Sequence, residues 1–309
     1  MPWRIPFDDR ALYPAPLRER ASMPAGVRIA FQTDSSTLSG EIVPNPDTEF
    51  LDVFCDGALL RSLSIAGESN FRTALPTGEK LVELWLPQFG EFRLKSLRFD
   101  DGSSLGSDSR RRPRWVTYGS SITQCRTAAS PSETWPAIVA RERDLELTCL
   151  GFGGQCHLDP MIAQLIRGLP ADFITICAGI NIYGAASLGP RAFGPAIIGT
   201  VRTIRECHPE TPLALISPIF SSSRETTVNA VGFTLESMRE EVRLQVETLC
   251  AAGDSRVFYV DGLTVFGPEL AEYLPDDLHP DAKGYQILGA NFLREVIPPL
   301  IAMAGQSVK

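Results

Sequence analysis

Over residues 25–99 apolar and polar positions alternate in short runs, "VRIAFQT", "EFLDVFCDG", "KLVELWLPQ" and "FRLKSLRFD", with turn residues between them. A period of two sends successive side chains to opposite faces, so these runs predict half-buried antiparallel strands. Several strands at this spacing predict a sandwich or jelly roll, and residues 1–110 read as an all-β domain. Beyond residue 110 the texture changes. Near-continuous apolar runs, "RWVTYG", "LELTCLGF", "DFITICAG", "PLALISP" and "RVFYVDG", alternate with longer amphipathic stretches at 132–143, 159–169, 191–207, 228–252 and 282–302. Strands apolar enough for burial on both faces, each followed by a helix, predict an α/β fold over residues 111–309. The expected form is a flavodoxin-like, doubly wound, five-stranded parallel sheet.

In open parallel sheets ligands bind beyond the carboxyl ends of the strands, so chemistry should sit just after each apolar run. The first run is followed by Gly119-Ser120-Ser121-Ile122-Thr123, the second by Gly153-Gly154-Gln155 and the third by Gly179-Ile180-Asn181. Past the fifth, ahead of the last helix, comes Asp276-Asp277-Leu278-His279-Pro280. A hydroxyl, a glycine turn, a carboxamide and an Asp-x-x-His pair are the parts of a serine acyl hydrolase. A serine hydroxyl attacks only when an imidazole takes its proton, and a carboxylate holds that imidazole in the right tautomer. The tetrahedral intermediate then needs fixed donors for its oxyanion, which a backbone amide in a glycine turn and a neutral carboxamide provide.

These four blocks, in this order and spacing, resemble the SGNH (GDSL) hydrolase superfamily, and the likeness spans residues 114–305. The resemblance implies the SGNH hydrolase fold, with Ser121 as nucleophile, His279 as general base and Asp276 as its orienting carboxylate. It also implies an oxyanion hole from the Ser121 and Gly154 amides and Asn181. "YGSSIT", "GFGGQCHLDP" and "DDLHPDAKGY" look most like the branch with an amino-terminal β domain, similar to some carbohydrate acetyl esterases. Relatives often carry aspartate where Ser120 stands. The implied activity is ester hydrolysis through an acyl-enzyme, removing small acyl groups such as acetyl from a carbohydrate or other small molecule. Acyl transfer or thioester cleavage by the same triad is the alternative, and a non-enzymatic carbohydrate-binding protein is the reading from another class.

Each assignment has a plainer rival. Ser121 alone would read as a helix cap. His208, before Pro209, reads as a surface cap at a helix end. His157 stays open between capping and substrate contact, and Arg224 between substrate contact and an exposed loop residue. Asp277 reads as a solvated turn residue. "GFGGQC" imitates a dinucleotide fingerprint, but Cys156 stands where the third glycine belongs, and the motif follows the second strand. Asp159-Pro160 reads as a helix start, and His157 with Asp159 is too small a set for a metal. No cofactor and no metal are expected.

Bulk properties narrow the partners. A net charge of −8 argues against nucleic acid or an anionic membrane as partner. The run Arg110, Arg111, Arg112 and Arg114 follows "DGSSLGSDS" and reads as a solvated linker. The first residues lack the apolar stretch of an export signal, and no run approaches about 18 uninterrupted apolar residues, so a cytoplasmic protein without a membrane partner is expected. Seven cysteines without a CxxC pair read as reduced core thiols. Homo-oligomers are left open. Trp3, Trp85 and Trp135 read as packing residues.

Overall fold

The structure, a computed structural model, describes residues 1–305. Its first segment departs from the all-β reading of residues 1–110. A 3-10 turn at Arg10–Leu12 leads into helix α1 (Ala15–Ala21). Tyr13, Leu17 and Ala21 recur every fourth residue, a helical stripe. With Ile5 they are buried in one cluster with Val116, Tyr118 and Phe152, so the segment packs on the parallel sheet.

Eight strands follow: β1 (Arg28–Thr33), β2 (Thr37–Ile42), β3 (Phe50–Cys55), β4 (Ala58–Ser64), β5 (Asn70–Ala74), β6 (Lys80–Trp85), β7 (Leu94–Phe99) and β8 (Leu105–Ser107). They form two antiparallel sheets, ordered β4-β3-β6-β1-β8 and β5-β2-β7. Leu38 and Ile42 of one sheet meet Leu51, Val53, Val82 and Leu84 of the other in a buried core. This is the sandwich that the period of two predicts.

The second sheet system contains β9 (Arg114–Gly119), β10 (Glu146–Gly151), β11 (Phe173–Cys177), β12 (Leu213–Ile216) and β13 (Val257–Val260). All pairings are parallel, in the order β10-β9-β11-β12-β13, the flavodoxin-like arrangement. The helices are α2 (Ser121–Gln124), α3 (Trp135–Glu142), α4 (Pro160–Gly168), α5 (Ile180–Ala185), α6 (Pro190–Arg205), α7 (Leu235–Ala251), α8 (Gly262–Val265), α9 (Ala282–Glu295) and α10 (Ile297–Gly305). One face of the sheet buries Ile162, Val201 and Val242 of α4, α6 and α7. The other buries Val139, Phe292 and Leu300 of α3, α9 and α10. Along β9, Trp115 faces the second cluster while Val116 and Tyr118 face the first, which is why these strands are apolar throughout.

Helix limits differ from the periodic stretches for local reasons. α7 begins at Leu235 rather than near 228 because Thr234 and Ser237 form a capping box. The stretch 282–302 divides at Val296, ahead of Pro298 and Pro299, which have no N–H to continue the ladder. Residues 282–305 are long and apolar enough to cross a membrane, yet Tyr285, Leu288, Phe292, Val296, Ile297 and Leu300 are buried against the sheet.

The arginine run is more than a solvated linker, although Arg111 is exposed. The Arg112 side chain is 4% exposed and pairs with Asp108 at 2.7 Å, Asp144 at 2.6 Å and Glu83 at 3.3 Å, while Arg28 pairs with Glu83 and with Glu146. This network ties β1 and β6 to the start of β10. A second tie is Asp52 on β3, fully buried, which accepts Ser130 Oγ at 2.5 Å and Ser132 N and Oγ at 2.9 and 2.6 Å.

Candidate active site

β9 ends at Gly119 and the chain turns directly into α2. Ser120 is the cap: its backbone is extended and its Oγ accepts from Ile122 N at 3.2 Å. Ser121 is therefore the first helical residue, and it lines a cleft of about 810 Å³ at the carboxyl ends of the strands. β9 and β11 flank the point where strand order reverses, so the residues after them open into one crevice. A Cβ on Gly151 would lie 2.5 Å from the backbone of Thr123 and Gln124, so only glycine lets the turn after β10 pack on α2. Trp135, buried as expected, steadies α2 through Nε1, which donates to Ile122 O at 2.9 Å.

Ser121 Oγ lies 2.8 Å from His279 Nε2, and His279 Nδ1 lies 2.6 Å from Asp276 Oδ2. A carboxylate only accepts, so Nδ1 carries the proton in the neutral ring and Nε2 is left to accept the Ser121 hydroxyl. Asp276 Oδ1 takes the N–H groups of Leu278 at 3.0 Å and His279 at 2.6 Å. Burial opposes the Asp276 charge, but the hydrogen bonds from the His279 ring, its N–H and the Leu278 N–H outweigh it and hold the carboxyl below its ordinary range.

Asp277 is not a free turn residue. It adopts a left-handed φ of 59°, and its carboxylate accepts Ser222 N and Ser223 N, each at 2.8 Å. Its carbonyl accepts Ser221 Oγ at 2.7 Å and Arg224 Nη1 at 3.0 Å. Arg224 thus fastens the loop after β12 to the loop bearing Asp276 and His279, and it does not line the 810 Å³ cleft. From the other side, Thr127 Oγ1 donates to Pro280 O at 2.8 Å.

The turn after β10 carries Gly154 at φ 71°, a left-handed position that favours glycine. Asn181 Oδ1 accepts Cys156 N at 3.0 Å, which fixes the carboxamide orientation because a backbone N–H can only donate. Among the described residues, the Asn181 NH2 and the backbone N–H groups of Ser121 and Gly154 have no hydrogen-bond partner. All three residues line the cleft with His279.

The other histidines and Asp159 lie outside the relay. His157 Nε2 donates to Gly154 O at 3.0 Å, and its Nδ1 accepts from Ser187 Oγ at 2.8 Å, so it braces the glycine turn. His208 is buried rather than a surface cap, with Nδ1 3.3 Å from Thr211 Oγ1, at the amino ends of the strands. Asp159 holds the cap position of α4, but its side chain makes no capping bond. All seven cysteines are free; Cys207 and Cys250 are exposed, and the other five are buried or half-buried. Burial pushes the Cys177 thiol up to about 12, so it stays protonated beneath the site. No group of three or more His, Cys, Asp or Glu able to hold a metal ion occurs among the described residues.

Sequence reasoning missed part of the cleft wall. Arg20, which follows the middle of α1, and Phe89, from the loop after β6, line it beside Gln124 and Arg126. Neither lies near the catalytic blocks in sequence, and no local pattern points to them.

The family model for the GDSL-like lipase/acylhydrolase family matches residues 117–287, and that for the SsfX3 N-terminal domain matches residues 1–95. No curated protein sequence matches the chain. Among solved structures, the salicylyl-acyltransferase SsfX3 from a tetracycline biosynthetic pathway is 37% identical with a TM-score of 0.87, over 99% of this chain and 90% of that one. A GDSL-like protein from Bacteroides ovatus ATCC 8483 is 20% identical with a TM-score of 0.77, over 99% and 92%. An active-site mutant of a family two carbohydrate esterase from Clostridium thermocellum is 15% identical with a TM-score of 0.68, over 87% and 90%. At such identities the last two speak for the fold alone.

Proposed function

Because the chain belongs to the GDSL-like lipase/acylhydrolase family, whose chemistry is ester hydrolysis or acyl transfer, we propose that it is a serine esterase working through an acyl-enzyme at Ser121. The observation that carries this reading is the continuous relay from Ser121 Oγ to His279 at 2.8 Å and on to Asp276 at 2.6 Å, beside three unengaged donors. Ser121 Oγ attacks the ester carbonyl as its proton passes to His279 Nε2. Asp276 holds the ring and stabilises the imidazolium that forms. The oxyanion takes hydrogen bonds from the Ser121 and Gly154 N–H groups and the Asn181 NH2. His279 then gives its proton to the departing alcohol, leaving acyl-Ser121. Water enters, loses a proton to Nε2, and attacks the acyl carbon; the acid leaves and the proton returns to Ser121 Oγ.

The proposed substrate is a small-molecule or carbohydrate ester with a small acyl group. Hydrolysis of p-nitrophenyl acetate tests the reading: Ser121→Ala should lower kcat at least about 10³-fold. Equal rates for the two proteins would sink it.

A second reading is transfer of the acyl group to a hydroxyl acceptor. The 37% identity to the salicylyl-acyltransferase supports it, since that likeness runs through the amino-terminal region as well as the α/β sheet. Both readings share every step up to acyl-Ser121 and differ in whether water or an alcohol resolves it. Adding small alcohols to the assay and measuring ester against acid product separates them.

A further inference from the structure

Phe89 stands at the β-domain side of the cleft, with the Arg126 guanidinium 4.0 Å from its ring centroid and that of Arg20 5.6 Å away. Both arginines line the same cleft as Ser121 and His279. Arg126 is exposed and has no carboxylate within ion-pair distance among the described residues. Among the described residues the carboxylate that Arg20 meets is Glu19, 63% exposed, at 3.2 Å, and its Nη1 also lies 3.9 Å from Met23 Sδ. Among the described residues the carboxylate lining the cleft is Asp276, and both its oxygens are engaged by its own loop and His279. Asp47 and Glu49 line an adjoining depression together with Phe89 and Arg126, without forming an ion pair with Arg126. In a chain with 37 acidic residues against 29 lysines and arginines, two poorly compensated cations at a reaction cleft run against the general balance.

A guanidinium laid on an aromatic ring is held in orientation while its N–H donors stay free, and such donors match a carboxylate or phosphate. A concave, partly apolar wall also concentrates their field toward a ligand. Resting on Ser121 as the reacting group, we infer that the substrate carries a carboxylate or phosphate on the part that reaches the β domain, held by Arg20 and Arg126 against Phe89. These residues would set specificity without entering the acyl-transfer steps.

The test compares kcat/KM for methyl 3-acetoxybenzoate, 3-acetoxybenzoate and 3-acetoxyphenyl phosphate. Each is run with the unaltered protein, the Arg20→Gln/Arg126→Gln double variant and, as a charge control on another surface, Arg111→Gln. The readout is the ratio of anionic to methyl ester, in which a general loss of folded protein or catalysis cancels. The double variant should lower that ratio about tenfold, the scale of two partly exposed charge pairs, mainly through KM, and Arg111→Gln should not. A larger fall for the phosphate ester than for the carboxylate would identify phosphate as the preferred group, and the reverse would identify carboxylate. A ratio that stays within about twofold in the double variant would overturn the inference.

Calorimetric binding of 3-acetoxybenzoate to Ser121→Ala, with and without the two arginine changes, reads the subsite without turnover. Arginine-dependent binding in a protein that hydrolyses none of the three esters would overturn the esterase reading and keep the anion subsite. Arginine-independent binding, with hydrolysis that Ser121→Ala abolishes, would do the opposite.

Discussion

Asn181 offers the sharpest separation of anchoring from chemistry. Its Oδ1 accepts the N–H of buried Cys156 at 3.0 Å, while its NH2 has no partner among the described residues and faces the proposed oxyanion. Asn181→Ala removes both functions, whereas Asn181→Asp keeps an acceptor for Cys156 and removes the donor. Loss of one oxyanion donor costs about 3–4 kcal/mol of transition-state stabilisation, or roughly 10²–10³ in kcat. Asn181→Asp should exceed that, because it also places a like charge beside the developing oxyanion. Stability should run the other way: alanine strands the Cys156 N–H at a cost of about 1–3 kcal/mol, and aspartate does not. Steady-state kinetics on p-nitrophenyl acetate and urea unfolding, measured on both variants, read the two effects separately. An Asn181→Asp protein within about tenfold of the original kcat would refute the assignment of the Asn181 NH2 to the oxyanion.

Two further outcomes follow from particular contacts. Arg4 is buried with no carboxylate partner among the described residues and donates to Met23 O, Gly151 O and Arg20 O at 2.5–2.6 Å and to Cys149 O at 3.2 Å; burial pushes its guanidinium down to about 10, so it remains charged at neutral pH. Arg4→Met should cost about 2–4 kcal/mol in urea unfolding, the stranded carbonyls outweighing relief from burying a charge, and an unchanged midpoint would contradict this. Asp100 is held below the ordinary carboxylate range by the hydroxyls of Ser36 and Thr37 and the Ser36 N–H. A depressed folded value stabilises the fold above the unfolded pKa of about 3.9 and loses that contribution as pH falls further. The stability gap between the original protein and Asp100→Asn should therefore be full at neutral pH and narrow steadily as pH falls from about 4 toward about 2, and parallel unfolding curves across that range would count against it.

The chain by itself determined the two sheet types and the set of residues that could do chemistry. Alternation with a period of two and apolar runs separated by amphipathic helices are local properties, and a parallel sheet forces the residues after each strand onto one edge. For that reason the blocks after the strands could be read together, and the resemblance to the SGNH hydrolases singled out Ser121, Gly154, Asn181, Asp276 and His279 within them, although 158 residues separate Ser121 from His279. Of the adjacent serines, Ser120, read as the structural one, is the helix cap.

Tertiary structure decided what depends on packing between distant segments. The helical stripe of Tyr13, Leu17 and Ala21 is too short to stand out in sequence, and it gains its meaning only where it meets Val116 and Tyr118. Arg112 looks like one charge in a basic run until Asp108, Glu83 and Asp144 surround it. Arg224, His157 and Asp277 acquired their places as braces of the two site loops through partners up to 56 residues away. Arg20 and Phe89 reach the cleft only because the amino-terminal segment and the sandwich are fastened to the parallel sheet. Periodicity and propensity act over one helix or strand, whereas these contacts are fixed by side-chain packing and ion pairing between elements that carry no mutual signal along the chain.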